Sequence, residues 1–272
     1  MKNNTCFKAL IALALALATA FSLAACAMAQ MELIVFAAAS MTETLTEIAE
    51  LYKQVEPDVE LVFNFDSSGT LKTQIEEGAP CDIFISAAPR QMNELDIASD
   101  ANAQGLDFVL QGTRIDLLEN KVALAVPEGN PKGIASYDAL IEGLRDGSLL
   151  LAMGNADVPV GQYTQRIFAY YGVGEEELAS AGCITYGSNV KEVTTQVAEA
   201  TVDCGIIYGT DAYSAGLTVV DTATAEMCGQ VLYPAAVLNI TTNEEAAIAF
   251  LTYLTGEEAS AVFQSVGFSP LS

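Results

Sequence analysis

Four short segments gather backbone amides and hydroxyls without a lysine or arginine among them: Ala37-Ala38-Ala39-Ser40, Asp66-Ser67-Ser68-Gly69-Thr70, Val158-Pro159-Val160-Gly161 and Gly187-Ser188-Asn189-Val190. Each lies just after an apolar run that reads as a strand, or just before a helical pattern. Taken singly, each is explained as an N-cap, because Ser and Asn satisfy the free N–H groups of any helix start. Together they describe another chemistry. A helix N-terminus carries roughly half a positive charge and unpaired donors, so several converging on one cleft hold an anion with no cationic side chain. Hydroxyls and amides keep their protons near neutral pH, so such a site does not titrate.

Composition removes the competing chemistries. The 272 residues include no histidine, which excludes Ser-His-Asp and Cys-His catalytic sets, His-ligated metals and an imidazole acid or base. A nucleophilic Ser40 or Ser68 would then want a lysine three residues on, where Glu43 and Leu71 stand; the S-x-x-K spacing of Ser188 and Lys191 reads as a capped helix start. The expectation is a binding protein, not an enzyme, with no cofactor; an exported enzyme using Ser40 or Ser68 as nucleophile is the alternative. Thirty-five acidic residues against 11 basic ones give a formal charge of -24, which argues against nucleic acid as a partner. The excess acid reads as a solvated surface. At physiological salt the Debye length is about 8 Å, so only acids close to the site oppose an anion.

Residues 1–29 read as an export signal: Lys2 and Lys8 precede an uncharged Ala- and Leu-rich run over residues 9–25. Leu23-Ala24-Ala25-Cys26 resembles a lipobox, in which Cys26 is lipidated and anchors the protein outside the cytoplasmic membrane. Cleavage after Ala27-Met28-Ala29, releasing a free periplasmic protein, is the alternative, and retention of the run as a single span is a third outcome. Cys81, Cys183, Cys204 and Cys228 allow three disulfide pairings in an exported chain. Cys183 and Cys204 each begin a short apolar run (CITY, CGIIY) that reads as one of two neighbouring strands, so they are the expected pair; four buried thiols are the alternative.

The elements that must carry these turns alternate. Strands are expected at residues 33–37, 59–65, 82–86, 121–126, 149–153, 183–186 and 205–208, with helices at 42–54, 71–77, 161–171 and 191–200. Ser40 and Glu43 have capping-box spacing ahead of the first helix. Repeated strand-helix units imply an α/β fold of mostly parallel sheets flanked by helices. The mature length suits two small domains. The expected lobes are residues 30–118 with 234–272, and residues 119–233, joined by two crossing strands. In open α/β sheets ligands sit off the carboxyl ends of the strands, where all four turns fall.

The blocks VFAAASMTETLTEIA, FDSSGTLKTQIEEGAPCDIFISA, GNADVPVGQY, GIIYGTDA, LYPAAV and AFLTYLTGEEASAVFQSVGF resemble, in order and spacing, the molybdate-binding component of bacterial ABC importers, over nearly the whole mature chain. The resemblance implies a two-lobed, type II periplasmic-binding-protein fold closing on a tetrahedral oxyanion, molybdate or tungstate. Its partners would be a membrane permease and that permease's cytoplasmic ATPase, with the receptor a monomer. Carried over block by block, it implies donors from Ser40 and Ser68 in the first lobe, and from the Val160 N–H, the Val190 N–H and the Tyr208 hydroxyl in the second. Molybdenum would be held only as the bound oxyanion. Gly69 stands where a third serine is common and Val160 where alanine is common; Val158 stands where relatives that add a carboxylate to the metal carry an acid. A receptor of the same architecture for sulfate or another small anion is the alternative.

Overall fold

The computed structural model describes residues 30–271; the signal segment, Cys26 and both processing sites lie outside the described residues. The first half of the first lobe runs β1 (Met31–Ala38), a 3₁₀ turn (Ala39–Met41), α1 (Thr42–Val55), β2 (Val59–Asp66), α2 (Ser68–Glu76), β3 (Ile83–Ile85) and α3 (Pro89–Leu95). After an irregular stretch, β4 (Ile115–Asn120) passes almost directly into β5 (Val122–Val126). The second lobe continues with α4 (Tyr137–Arg145), β6 (Leu151–Gly154), α5 (Pro159–Tyr171), α6 (Glu175–Ser180), β7 (Ile184–Gly187), α7 (Val190–Ala198), β8 (Cys204–Tyr208), α8 (Gly209–Ser214), β9 (Thr218–Thr222) and α9 (Ala225–Cys228). The chain returns through β10 (Val231–Val237), α10 (Glu244–Leu254), α11 (Glu257–Ser265) and β11 (Ser269–Pro270).

Two sheets result, with strand orders β11-β4-β10-β3-β1-β2 and β7-β6-β8-β5-β9. The pairs β1–β2, β1–β3, β6–β7 and β6–β8 are parallel, as strands connected through helices must be. Every antiparallel pair involves β4, β5 or β10, the strands that carry the chain between lobes. Asn120 and Val231 are paired within the first sheet. The chain therefore changes sheet at Lys121 going out and between β9 and β10 coming back.

Helix spacing explains the packing. In α1, Leu45, Ile48 and Tyr52 recur every three or four residues and are buried. Tyr52 meets Phe250 of α10 edge-on at 4.9 Å, which fastens the returning C-terminal segment to the first lobe. Of the six strands in the first sheet, β3 is short and wholly buried, its apolar run covered on both faces.

The expected Cys183–Cys204 disulfide is absent: all four described cysteines are free and buried. The reason is strand order. The strand following Cys183, β7, and the strand opened by Cys204, β8, are separated by β6 and are not neighbours. Burial pushes the Cys204 thiol up to about 12, so it behaves as a small apolar residue.

Candidate functional site

The 3₁₀ turn after β1 and the starts of α2, α5 and α7 meet at the carboxyl ends of their preceding strands. There Ser40, Ser68, Val160, Val190 and Tyr208, the five residues expected from the sequence, line one small pocket. Ala38, Ala39 and Ala87 complete the first-lobe wall, and Val158 and Pro159 the second. No lining residue is charged. About 10 Å³ of the pocket is wide enough for the centre of a water molecule. Pockets for organic ligands are roughly 300 to 1,000 Å³, so this one leaves room only for something compact.

Local hydrogen bonding decides which donors face inward. Ser67, not Ser68, caps α2, its Oγ accepting the Thr70 N–H at 3.1 Å. That frees Ser68, whose Oγ instead accepts the Ala87 N–H at 2.9 Å. Having accepted there, the Ser68 hydroxyl keeps its proton to donate. Ser40 departs from the capping-box expectation. It sits in the 3₁₀ turn, α1 begins at Thr42 without a side-chain cap, and Ser40 Oγ lies 2.9 Å from the Tyr233 hydroxyl. Asn189 caps α7 by accepting the Glu192 N–H at 3.1 Å, while Val158 precedes α5 with no side-chain cap. The Val160 and Val190 N–H groups belong to first turns, where an α-helix supplies no internal partner.

The hydroxyl of Tyr208 is fully buried and has no hydrogen-bond partner with acceptable geometry among the described residues. An orphaned buried hydroxyl is uncommon and costs about 1 to 3 kcal/mol unless something completes it. Burial, followed by the neighbouring tyrosines and Asp211, holds its pKa well above the ordinary tyrosine value. The hydroxyl is therefore protonated and neutral near neutral pH. Its ring belongs to an edge-on aromatic column, Tyr163–Tyr208–Tyr233–Phe268, with centroids 6.4, 5.7 and 5.3 Å apart.

Three contacts join the lobes beside the pocket. Gly69 lies so close to Asp157 that a Cβ there would overlap the Asp157 carbonyl oxygen and sit 3.1 Å from its carbon. Asn189 Nδ2 donates to Asp66 Oδ1 at 3.3 Å. Lys191 Nζ reaches Glu43 at 2.7 Å and the buried Asp211 at 3.0 Å. Asp211 is not the helix cap its position suggests. It lies inside the first turn of α8, and its carboxylate is pushed up to about 6 by burial, with Lys191 drawing it back. Lys72 and Arg90 are not ligands: Lys72 pairs with Glu76 and Glu94, and Arg90 with Glu94.

Sequence reading missed Ala87, whose amide sets the Ser68 hydroxyl, and the pair Tyr233 and Asn120 behind Ser40. Tyr233 stood in the quoted LYPAAV block, but a crossing strand gave no reason to assign it a partner.

Comparison with known proteins places the chain in a family. Residues 33–269 match the family described as bacterial extracellular solute-binding protein. The chain is 34% identical over 240 residues to the molybdate-binding protein ModA of Haemophilus influenzae, covering 88% of this chain and 90% of that one. It is 30% identical over 242 residues to YvgL of Bacillus subtilis, a putative ABC transporter substrate-binding lipoprotein, covering 88% and 87%. The periplasmic molybdate-binding protein of Azotobacter vinelandii has the same fold, with a TM-score of 0.74 at 21% identity over 88% of this chain and all of that one. The chain belongs to the bacterial extracellular solute-binding proteins.

Proposed function

We propose that this protein captures molybdate, and tungstate with it, outside the cytoplasmic membrane and hands it to the permease of an ATP-driven importer. It acts as a receptor without catalysis or cofactor, anchored through a lipid on Cys26. The observation that carries this reading is a pocket with no charged side chain that gathers three hydroxyls and the starts of helices from both lobes. A dianion leaving water has to recover its hydration through many donors, and each hydrogen bond to a charged group is worth about 1.5 to 3 kcal/mol. Several such bonds, less the cost of ordering and closure, reach about -8 kcal/mol, which is micromolar binding. The molybdate-binding relatives and the lipoprotein relative support the same ligand and placement.

Calorimetric titration with molybdate, tungstate and sulfate tests the reading. Molybdate and tungstate are expected to bind at micromolar concentration or tighter, with sulfate at least tenfold weaker. Sulfate binding equally well would favour a sulfate receptor of the same architecture. A folded protein that ignores all three would remove the oxyanion reading altogether.

A further inference from the structure

We infer that Tyr233 and Asn120 are positioning residues that fix the direction of the Ser40 hydroxyl, so that it can only give its proton to an anion in the pocket; this rests on the oxyanion reading above. The chain of donors starts at a group whose polarity is certain. The backbone N–H of Lys121 can only donate, and it lies 2.8 Å from the Asn120 amide oxygen. The other end of that amide is therefore its nitrogen. Asn120 Nδ2 then donates to Thr210 Oγ1 at 2.9 Å and to the Tyr233 hydroxyl oxygen at 3.2 Å, which uses both amide protons.

Having received a proton from Asn120, the Tyr233 hydroxyl has its own to give. Its one other partner with hydrogen-bond geometry among the described residues is Ser40 Oγ at 2.9 Å; the neighbouring Tyr208 hydroxyl does not meet that geometry. Ser40 accepts it, has no second protein partner among the described residues, and lines the pocket with its remaining proton free. Direction thus runs from Asn120 to Tyr233 to Ser40 to the ligand. All three side chains are buried, so water does not scramble the order. The relay sits where the lobes join: Asn120 ends β4 opposite Val231, and Tyr233 lies opposite Leu118. Thr210 follows Tyr208 by two residues, which ties the first-lobe donor to the segment carrying a second-lobe donor.

A hydroxyl pinned as a donor suits an oxyanion that presents only acceptors and penalises one that carries a proton. Released from the relay, Ser40 can rotate and accept. Molybdate and arsenate at pH 7 separate these cases, because arsenate there carries a proton. The experiment measures both dissociation constants and the unfolding temperature for wild type, Tyr233→Phe, Ser40→Ala and the double variant. Tyr233→Phe is expected to weaken molybdate about five- to thirty-fold, to narrow the molybdate-to-arsenate ratio, and to add less than twofold on top of Ser40→Ala. Equal losses in both backgrounds, no loss, or a Tyr233→Phe chain without cooperative unfolding would each make Tyr233 a packing residue and overturn the relay. Asn120→Asp, which replaces the donor by an acceptor of the same shape, is expected to weaken molybdate at least as much; wild-type affinity in that variant would also overturn it. Wild type failing to bind molybdate refutes the oxyanion reading itself, whereas normal wild-type binding with an indifferent Tyr233→Phe refutes only the relay.

Discussion

Replacing Gly69 by alanine would separate lobe closure from folding. The added methyl has to clear the backbone carbonyl of Asp157, which cannot swing aside as the end of a flexible side chain would. Restoring ordinary contact requires the two backbones to part by about 1 Å, because close-packed atoms tolerate little overlap. A ligand hydrogen bond near 2.9 Å stretched by that amount is no longer a hydrogen bond. Val160, three residues beyond Asp157, is the proposed donor most directly displaced. Losing one or two charge-assisted bonds at about 1.5 to 2 kcal/mol each weakens binding by roughly ten- to a thousand-fold. In the open protein the same substitution removes a helical glycine, a change worth up to about 1 kcal/mol in the opposite direction. Calorimetry is therefore expected to report a large loss of molybdate affinity, while thermal unfolding without ligand occurs at or above the wild-type temperature. Affinity within threefold of wild type would refute the closure argument, and a marked drop in unfolding temperature would mean that the contact belongs to the resting fold.

Other substitutions carry distinct signatures. Ser68→Ala removes a donor and strands the buried Ala87 N–H, so both molybdate affinity and stability are expected to fall, each by about 1 to 3 kcal/mol, as read by calorimetry and denaturant unfolding. Tyr208→Phe deletes a hydroxyl that has no partner with hydrogen-bond geometry among the described residues; affinity should drop while the ligand-free unfolding temperature holds or rises, and a large loss of stability would contradict that assignment. Asp211 has a folded pKa pushed up to about 6 from 3.8, so between those values the folded state binds more protons and stability falls as pH rises. Asp211→Asn should flatten that part of the stability profile, measured by denaturant unfolding from pH 4 to 7, and an unchanged slope would assign it to another group.

Much of the site was readable because backbone chemistry leaves traces in sequence. A strand passing into a small, uncharged turn at a helix start marks the four turns wherever the helices end up, and the family resemblance then singles out Ser40, Ser68, Val160 and Val190 within them. What one residue type does at such a turn was less readable. Ser67 and Ser68 are adjacent and chemically identical, yet one caps α2 and the other faces the pocket, a division set by where Ala87 places its amide. Ser40 has the spacing of a capping box, but Tyr233, 193 residues away, takes its hydroxyl. Cys183 and Cys204 begin similar apolar runs, and only the order of strands reveals β6 between them. In each case the deciding partner is distant in the chain, and local patterns carry no record of it.

The aromatic column through Tyr208 and Tyr233 has an optical corollary. The chain contains no tryptophan, so its near-ultraviolet circular dichroism comes mainly from tyrosine, and coupling between rings depends on their spacing and tilt. Tyr163 and Tyr208 belong to one lobe and Tyr233 and Phe268 to the other, so lobe closure on a ligand would change the spacing between the two pairs. Ligand capture should therefore be visible as a change in the tyrosine band, with no label attached.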